Sequence, residues 1–204
     1  FPTRRSSDLR IFGIDGENNY IDESVFVNAE NGSIIAKVFN ECDIEAHGTN
    51  EFSKDVKFNV VREFTKVSYF SISDFTYVMK DRDLHIQMNE RSNFVLDPIT
   101  STTNTWNDKH VFSVYSNMLE IMTWWKKSFD RDALDGNGTN VDVVAHAWWG
   151  KDNAAWNYIT HRILTNDLSG EENIDHFHGA AVDVLAHETG HAVLQYVARI
   201  TGNN

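Results

Sequence analysis

The chain has 204 residues, 41% of them hydrophobic, which is enough apolar matter for one core or two small ones. A formal net charge of -12 disfavours nucleic acid and anionic membranes as partners. The single cysteine, Cys42, excludes an internal disulfide framework and any CxxC metal site, and no apolar run is long enough for a membrane-spanning helix.

The segment Phe-Pro-Thr-Arg-Arg-Ser-Ser-Asp-Leu9 resembles the conceptual translation of a sequencing adapter and is set apart from fold reasoning. With no initiator methionine and no signal peptide, the chain reads as a gene fragment. Residues 20–39 read as a β-hairpin, Ser24–Val27 and Ser33–Val38 flanking a turn whose Asn31-Gly32 step suits positive φ. The polar, acidic stretch Asn40–Glu51 is expected to be a linker or cleavage region. From Val56 to Met88, runs rich in Val, Phe, Tyr and Thr predict several strands. Asn89–Asp108 reads as loop, with Pro98 as a breaker.

At His110 the pattern changes. Val111, Val114, Tyr115, Met118, Leu119, Met122 and Trp125 recur at helical spacing, and Lys126 and Lys127 suit a helix C-terminus. Asp135-Gly-Asn-Gly138 is a turn, Asn140–Trp149 reads as a strand, and Asp152–Trp156 begins another after a turn at Gly150. Strands followed by helices predict an α+β fold, drawn as a twisted antiparallel sheet with long helices.

The last helix carries the most chemistry. His187-Glu188-Thr189-Gly190-His191 lies in an apolar context, Ala180–Ala186 before it and Ala192-Val-Leu194 after. Positions i and i+4 share a helix face, so both imidazoles can reach one metal ion. Glu188 is then placed to take a proton from water at that ion. Five-residue patterns also arise by chance, but Val182, Leu185, Ala186, Val193, Leu194 and Val197 make a wide apolar band. Polar groups inside such a helix are costly unless a metal and partners satisfy them. An extended HExxHxxGxxH site is excluded, because Leu194 and Val197 stand where glycine and histidine are required. A third ligand must come from elsewhere, and the common solution is a glutamate from a further helix.

Val111–Phe129, Asp135-Gly-Asn-Gly138, Asn153-Ala-Ala-Trp-Asn157 and Val182–Val193, in that order, resemble the thermolysin-like neutral zinc metallopeptidases, a gluzincin family. The resemblance covers about residues 110–198 well, and the 24–38 hairpin resembles the last strands of the family's propeptide. It implies the N-terminal lobe of the catalytic domain, ending in the HExxH helix, with residues 10–46 as the end of a propeptide and 47–204 as truncated catalytic domain. It implies a secreted, extracellular endopeptidase made as a zymogen, monomeric, whose partners are a peptide or protein substrate and its own propeptide. The implied cofactors are Zn2+, held by His187 and His191, and Ca2+, for which Asp183 matches a ligand. Glu188 matches the general base that acts on zinc-bound water and passes the proton to the leaving amine. Asn153 and the main chain of Ala154 match the holders of an extended substrate, and Val184 matches a wall of the pocket for the residue after the cut.

Departures accompany the match. The family's glutamate ligand, the acidic partner of its first histidine and its oxyanion-stabilising histidine fall beyond Asn204, and its active-site tyrosine aligns near Gly202. The fragment itself is therefore expected to be inactive and to bind zinc weakly. A catalytically dead scaffold serving as a binding or inhibitory module is the alternative; a different gluzincin such as an aminopeptidase would require an anchor for the substrate amine, and no such motif precedes the histidines. His146 is expected in a strand and His161, His176 and His178 in loops; His176 and His178 could bind a metal, but polar decoration is the favoured reading. Asn31-Gly-Ser33 and Asn137-Gly-Thr139 fit glycosylation sequons, which the bacterial origin implied by the resemblance would make irrelevant.

Overall fold

The computed structural model describes residues 6–14, 20–28, 31–39, 41–50, 54–68, 71–92, 95–147, 152–167 and 178–198. Trp148, Trp149, Gly150, His176 and Gly202 lie outside the described residues.

Three sheets and two helices make an α+β structure. In the first sheet, β1 (Ser6–Ile14), β2 (Tyr20–Asn28) and β3 (Ile34–Phe39) are antiparallel neighbours in chain order. The β2–β3 hairpin forms as the Asn-Gly step predicts: Gly32 has φ +71, and its amide donates to the Asn28 carbonyl at 2.8 Å. Ser6–Leu9, set apart on sequence grounds, pair with Val25–Asn28. Ladder hydrogen bonds are made by main chain, so a growing strand takes up adjoining residues with little regard to their side chains.

The second sheet contains β4 (Glu41–Thr49), β5 (Asp55–Ser68) and β6 (Ser71–Val78), flanked by the two-residue β10 (Thr100–Ser101) and β11 (Thr105–Trp106). The linker expected over 40–51 is thus replaced by a strand, β4 pairing with β5 from Glu41↔Glu63 to Thr49↔Asp55. Its acidic and polar side chains misled; Ile44 and Ala46 face the core while Glu45 and Lys57 pair outside at 3.0 Å. Alternation of this kind identifies a half-buried strand even when its composition is polar.

The third sheet runs β13 (Asn153–Asn157), β14 (Arg162–Asn166), β12 (Val141–Ala145), β8 (Ile86–Ser92), β7 (Lys80–Asp81), with β9 (Val95–Pro98) also on β8. It is mixed, not antiparallel throughout: β12 pairs in parallel with both β8 and β14. Central position explains why Val141, Val143, Val144 and Ala145 are all buried, as parallel strands covered on both faces require. The strand expected over 140–149 ends at Ala145, and His146 lies just beyond it with φ +49. The loop expected over 89–108 holds short strands, and Pro98 is the last residue of β9, where its missing N–H does least harm.

Helix α1 (Lys109–Phe129) starts at Asp108, whose carboxylate accepts the Val111 amide at 3.0 Å, and ends at Asp130 with φ 51. Val111, Phe112, Val114, Tyr115, Met118 and Met122 form its buried face. That face touches β4 of the second sheet and β8 and β12 of the third, so α1 is the element around which both sheets pack. A single 3-10 turn, His178–Ala180, leads into α2 (Val182–Ala198). The apolar band expected on α2 is only partly covered. Leu185, Thr189, Ala192 and Val193 are buried, whereas Val182, Leu194 and Val197 are 44%, 51% and 66% exposed. Among the described elements, α2 packs chiefly on β13, α1 and the 3-10 turn.

Candidate metal centre

Helix α2 carries both histidines on one face, as four-residue spacing dictates. His187 Nε2 and His191 Nε2 approach to 2.9 Å, their rings nearly perpendicular. Glu188 adds a carboxylate, and the three ligand atoms lie within 4.8 Å of one another, the one such group among the described residues. Two imidazole nitrogens converging on one point suit a borderline-soft divalent ion such as zinc. The two nitrogens fit part of such an ion's donor set.

Glu188 does not lean into the metal position unassisted. Its Oε2 accepts the main-chain N–H of Trp156 at 2.7 Å. Trp156 lies on β13, an edge strand, and this bond shows that its amide points away from β14. Since main-chain groups alternate along a strand, the Ala154 amide and carbonyl face the same outer edge. Ala154 is buried at 3% exposure, whereas the Asn153 side chain is exposed at the start of the strand. The outer edge of β13 thus leads straight to Glu188.

Further bonds fasten this strand to α2. Trp156 Nε1 donates to Gln195 Oε1 at 2.6 Å, and Gln195 Nε2 donates to the Tyr158 carbonyl at 3.1 Å. The Tyr158 hydroxyl lies 3.2 Å from His191 Nδ1. His161, in the turn as expected and with φ 55, lies 3.1 Å from Gln195 Nε2 and stacks on Trp156. The 3-10 turn closes over the start of β13 and the end of β14. A Cβ at Gly179 would strike the Asn153 and Asn166 carbonyl oxygens, so only glycine allows this approach. The Gly179 amide donates to Asp152 Oδ1 at 2.8 Å. From the other side, Trp125 of α1 donates to Thr189 Oγ1 at 3.4 Å.

Asp183 is exposed in the first turn of α2, and Val184 is half-buried against the core. Neither takes part in the His187–Glu188–His191 group. The sequence reading had assigned no role to Trp156, Tyr158, Gln195 or His161, although all four meet at the site. Only Trp156 carried a signal, as part of the quoted Asn153–Asn157 segment.

A second polar cluster, behind β12, was also missed. His146 Nε2 bonds Asp108 Oδ2 at 2.9 Å and its Nδ1 bonds Asp167 Oδ1 at 3.0 Å. The hydrogen bonds His146 donates to Asp108 and then Asp167 push its pKa up to about 10, against the opposing effect of burial. Burial acts to raise Asp108, but its bonds to His146 and the Val111 amide prevail and hold it below the usual carboxylate range. His110, buried on α1, is held below the ordinary imidazole pKa by desolvation, and its Nε2 lies 3.1 Å from Thr165 Oγ1.

Comparison with known proteins gives the family. Residues 45–195 match the thermolysin metallopeptidase catalytic domain, and the chain belongs to that family. Neutral protease B of Bacillus subtilis (strain 168) is 28% identical over 181 residues, covering 85% of this chain and 32% of the relative. Bacillolysin of Brevibacillus brevis is 24% identical over 199 residues, covering 92% of this chain and 35% of the relative. The chain therefore spans about a third of the length of these curated relatives. The precursor of protealysin, a metalloproteinase from Serratia proteamaculans, aligns over 57% of this chain and 36% of its own at 21% identity and a TM-score of 0.46. No helix among the described residues is long and apolar enough to cross a membrane.

Proposed function

We propose that this chain is part of a secreted zinc metalloendopeptidase precursor: residues 10–46 end a propeptide and 47–204 form the N-terminal part of the catalytic domain. The junction falls within β4, so cleavage there requires local opening of that strand. The observation that carries the reading is the convergence of His187 Nε2 and His191 Nε2 beside a carboxylate held by the main chain of an edge strand. His187 and His191 would hold the ion. A zinc ion supplies Lewis acidity, making water a nucleophile near neutral pH and polarising a carbonyl. Glu188 takes the proton of the attacking water and delivers it to the leaving amine. The Ala154 main chain, on the outer edge of β13, accepts an extended peptide as an added strand, with Asn153 binding at its side and Val184 walling the pocket beyond the cut.

Two histidines leave the ion short of the three protein ligands that catalytic zinc sites use. We place the third beyond Asn204, so the chain as it stands binds zinc weakly and does not cut peptides. Asp183 is proposed as a calcium ligand, one carboxylate of the six to eight oxygens such an ion takes. It belongs to no group of three His, Cys, Asp or Glu ligand atoms among the described residues.

The test is a zinc titration with casein hydrolysis, comparing this chain with a version extended by about one further domain. Hydrolysis in the extended protein alone, abolished by Glu188→Gln with zinc binding kept, is the expected outcome. An extended protein that binds no zinc and leaves casein intact would instead establish an inert scaffold, a binding or inhibitory module.

A further inference from the structure

We infer that Tyr158 is a positioning residue for the metal centre, its hydroxyl fixing the ring orientation and tautomer of His191 from the side opposite the metal. This rests on the zinc reading above and deepens it. His191 faces His187 through Nε2, so in a neutral imidazole poised to ligate through that atom the proton resides on Nδ1. The only role left to the Tyr158 oxygen, 3.2 Å from Nδ1, is to accept that proton's hydrogen bond. A bond of this kind on the distal nitrogen prevents ring rotation, excludes the wrong tautomer and strengthens the nitrogen as a donor.

Tyr158 is itself well fixed. It occupies the turn between β13 and β14, where Asn157 Oδ1 accepts the amides of Ile159 and Thr160 at 3.0 and 2.9 Å. Its carbonyl accepts from Gln195 on α2, one turn beyond His191. The tyrosine ring stands at 62° to the imidazole, with centroids 6.3 Å apart, an edge-on approach that brings the hydroxyl to Nδ1. Turn, strand and helix therefore hold the hydroxyl where a histidine ligand needs its outer partner.

The experiment compares the full chain with Tyr158→Phe, which keeps the ring and deletes the hydroxyl, and with Ile159→Ser, a change at a neighbouring side chain that is 92% exposed. Zinc affinity is read by competition with a chromophoric chelator, and the His191 tautomer of the apo protein by 15N NMR. The expected result is an affinity lower by about 10–100-fold in Tyr158→Phe only. His191 should shift from the Nδ1–H tautomer to a mixture, with the apo unfolding midpoint unchanged. Equal affinity and an unchanged tautomer in Tyr158→Phe would overturn the assignment while leaving the zinc reading intact. An equal loss in Ile159→Ser would reduce the effect to disturbance of the turn, and would also overturn it. If the unaltered chain binds zinc too weakly to titrate, the His191 tautomer decides alone, and an unchanged tautomer in Tyr158→Phe overturns the assignment.

Discussion

His146 shows how much one residue can tie together. It sits just past β12, its two ring nitrogens bonded to Asp108, the cap of α1, and to Asp167, just past β14. Both carboxylates favour the doubly protonated ring, and the neighbouring His110, kept neutral by burial, adds little repulsion. Because the folded pKa is raised from 6.5 to about 10, the stabilisation is complete below pH 6.5 and is lost as pH rises toward 10. Asp108 acts in the opposite sense: its lowered pKa contributes above the ordinary 3.8 and is lost as acid protonates it. With a third of the His146 side chain exposed, solvent screens the gain. Urea midpoints measured across this range should fall from pH 6.5 to 10 in the unaltered chain. Asp108→Asn, which keeps the helix cap, should move that fall to lower pH; an identical profile would refute the clamp.

At the scale of elements, the site is a register between one edge strand and one helix. Glu188, His191 and Gln195 recur on a single face of α2 and meet, in order, the Trp156 amide, the Tyr158 hydroxyl and the Trp156 indole. Gln195 is the outer fastening. Gln195→Leu keeps its bulk but orphans the Trp156 indole N–H, in a residue only 5% exposed, at a cost of about 1–3 kcal/mol. Chemical denaturation of the metal-free protein measures it, and a loss well below that range would mean that the indole finds another acceptor. The helix and its histidines were legible in the sequence because period and spacing are local properties. Tyr158 and Gln195 were not, because a tyrosine in a turn and a glutamine on a helix acquire meaning only when β13 is laid against α2.

Across the whole molecule, Phe112 is the joint between α1 and the second sheet. It is fully buried, its ring 4.4 Å from Phe58, and a Cβ added at Gly48 on β4 would stand 2.5–2.7 Å from its atoms. A ring so enclosed has nowhere to move, so Gly48→Ala should cost about 1–3 kcal/mol. Combining it with Phe112→Leu should recover part of that loss in a double-mutant cycle; strict additivity would mean that the two residues do not meet. Nothing in the sequence marks this contact, since Gly48 sits in a stretch whose polarity suggested a linker. Likewise the parallel pairing of β12 with β8 and β14 joins segments far apart in the chain, and periodicity within each segment carries no word of its partners. The α+β class was legible, but the mixed order of the third sheet was not.

The bond from the Trp156 amide to Glu188 has an evolutionary consequence. The catalytic carboxylate is steadied by an atom that every amino acid except proline supplies. Residue 156 can therefore drift through nineteen identities without dismantling that support, whereas the indole contact to Gln195 vanishes at the first change. Inheritance protects the first bond through the backbone itself and the second only by selection.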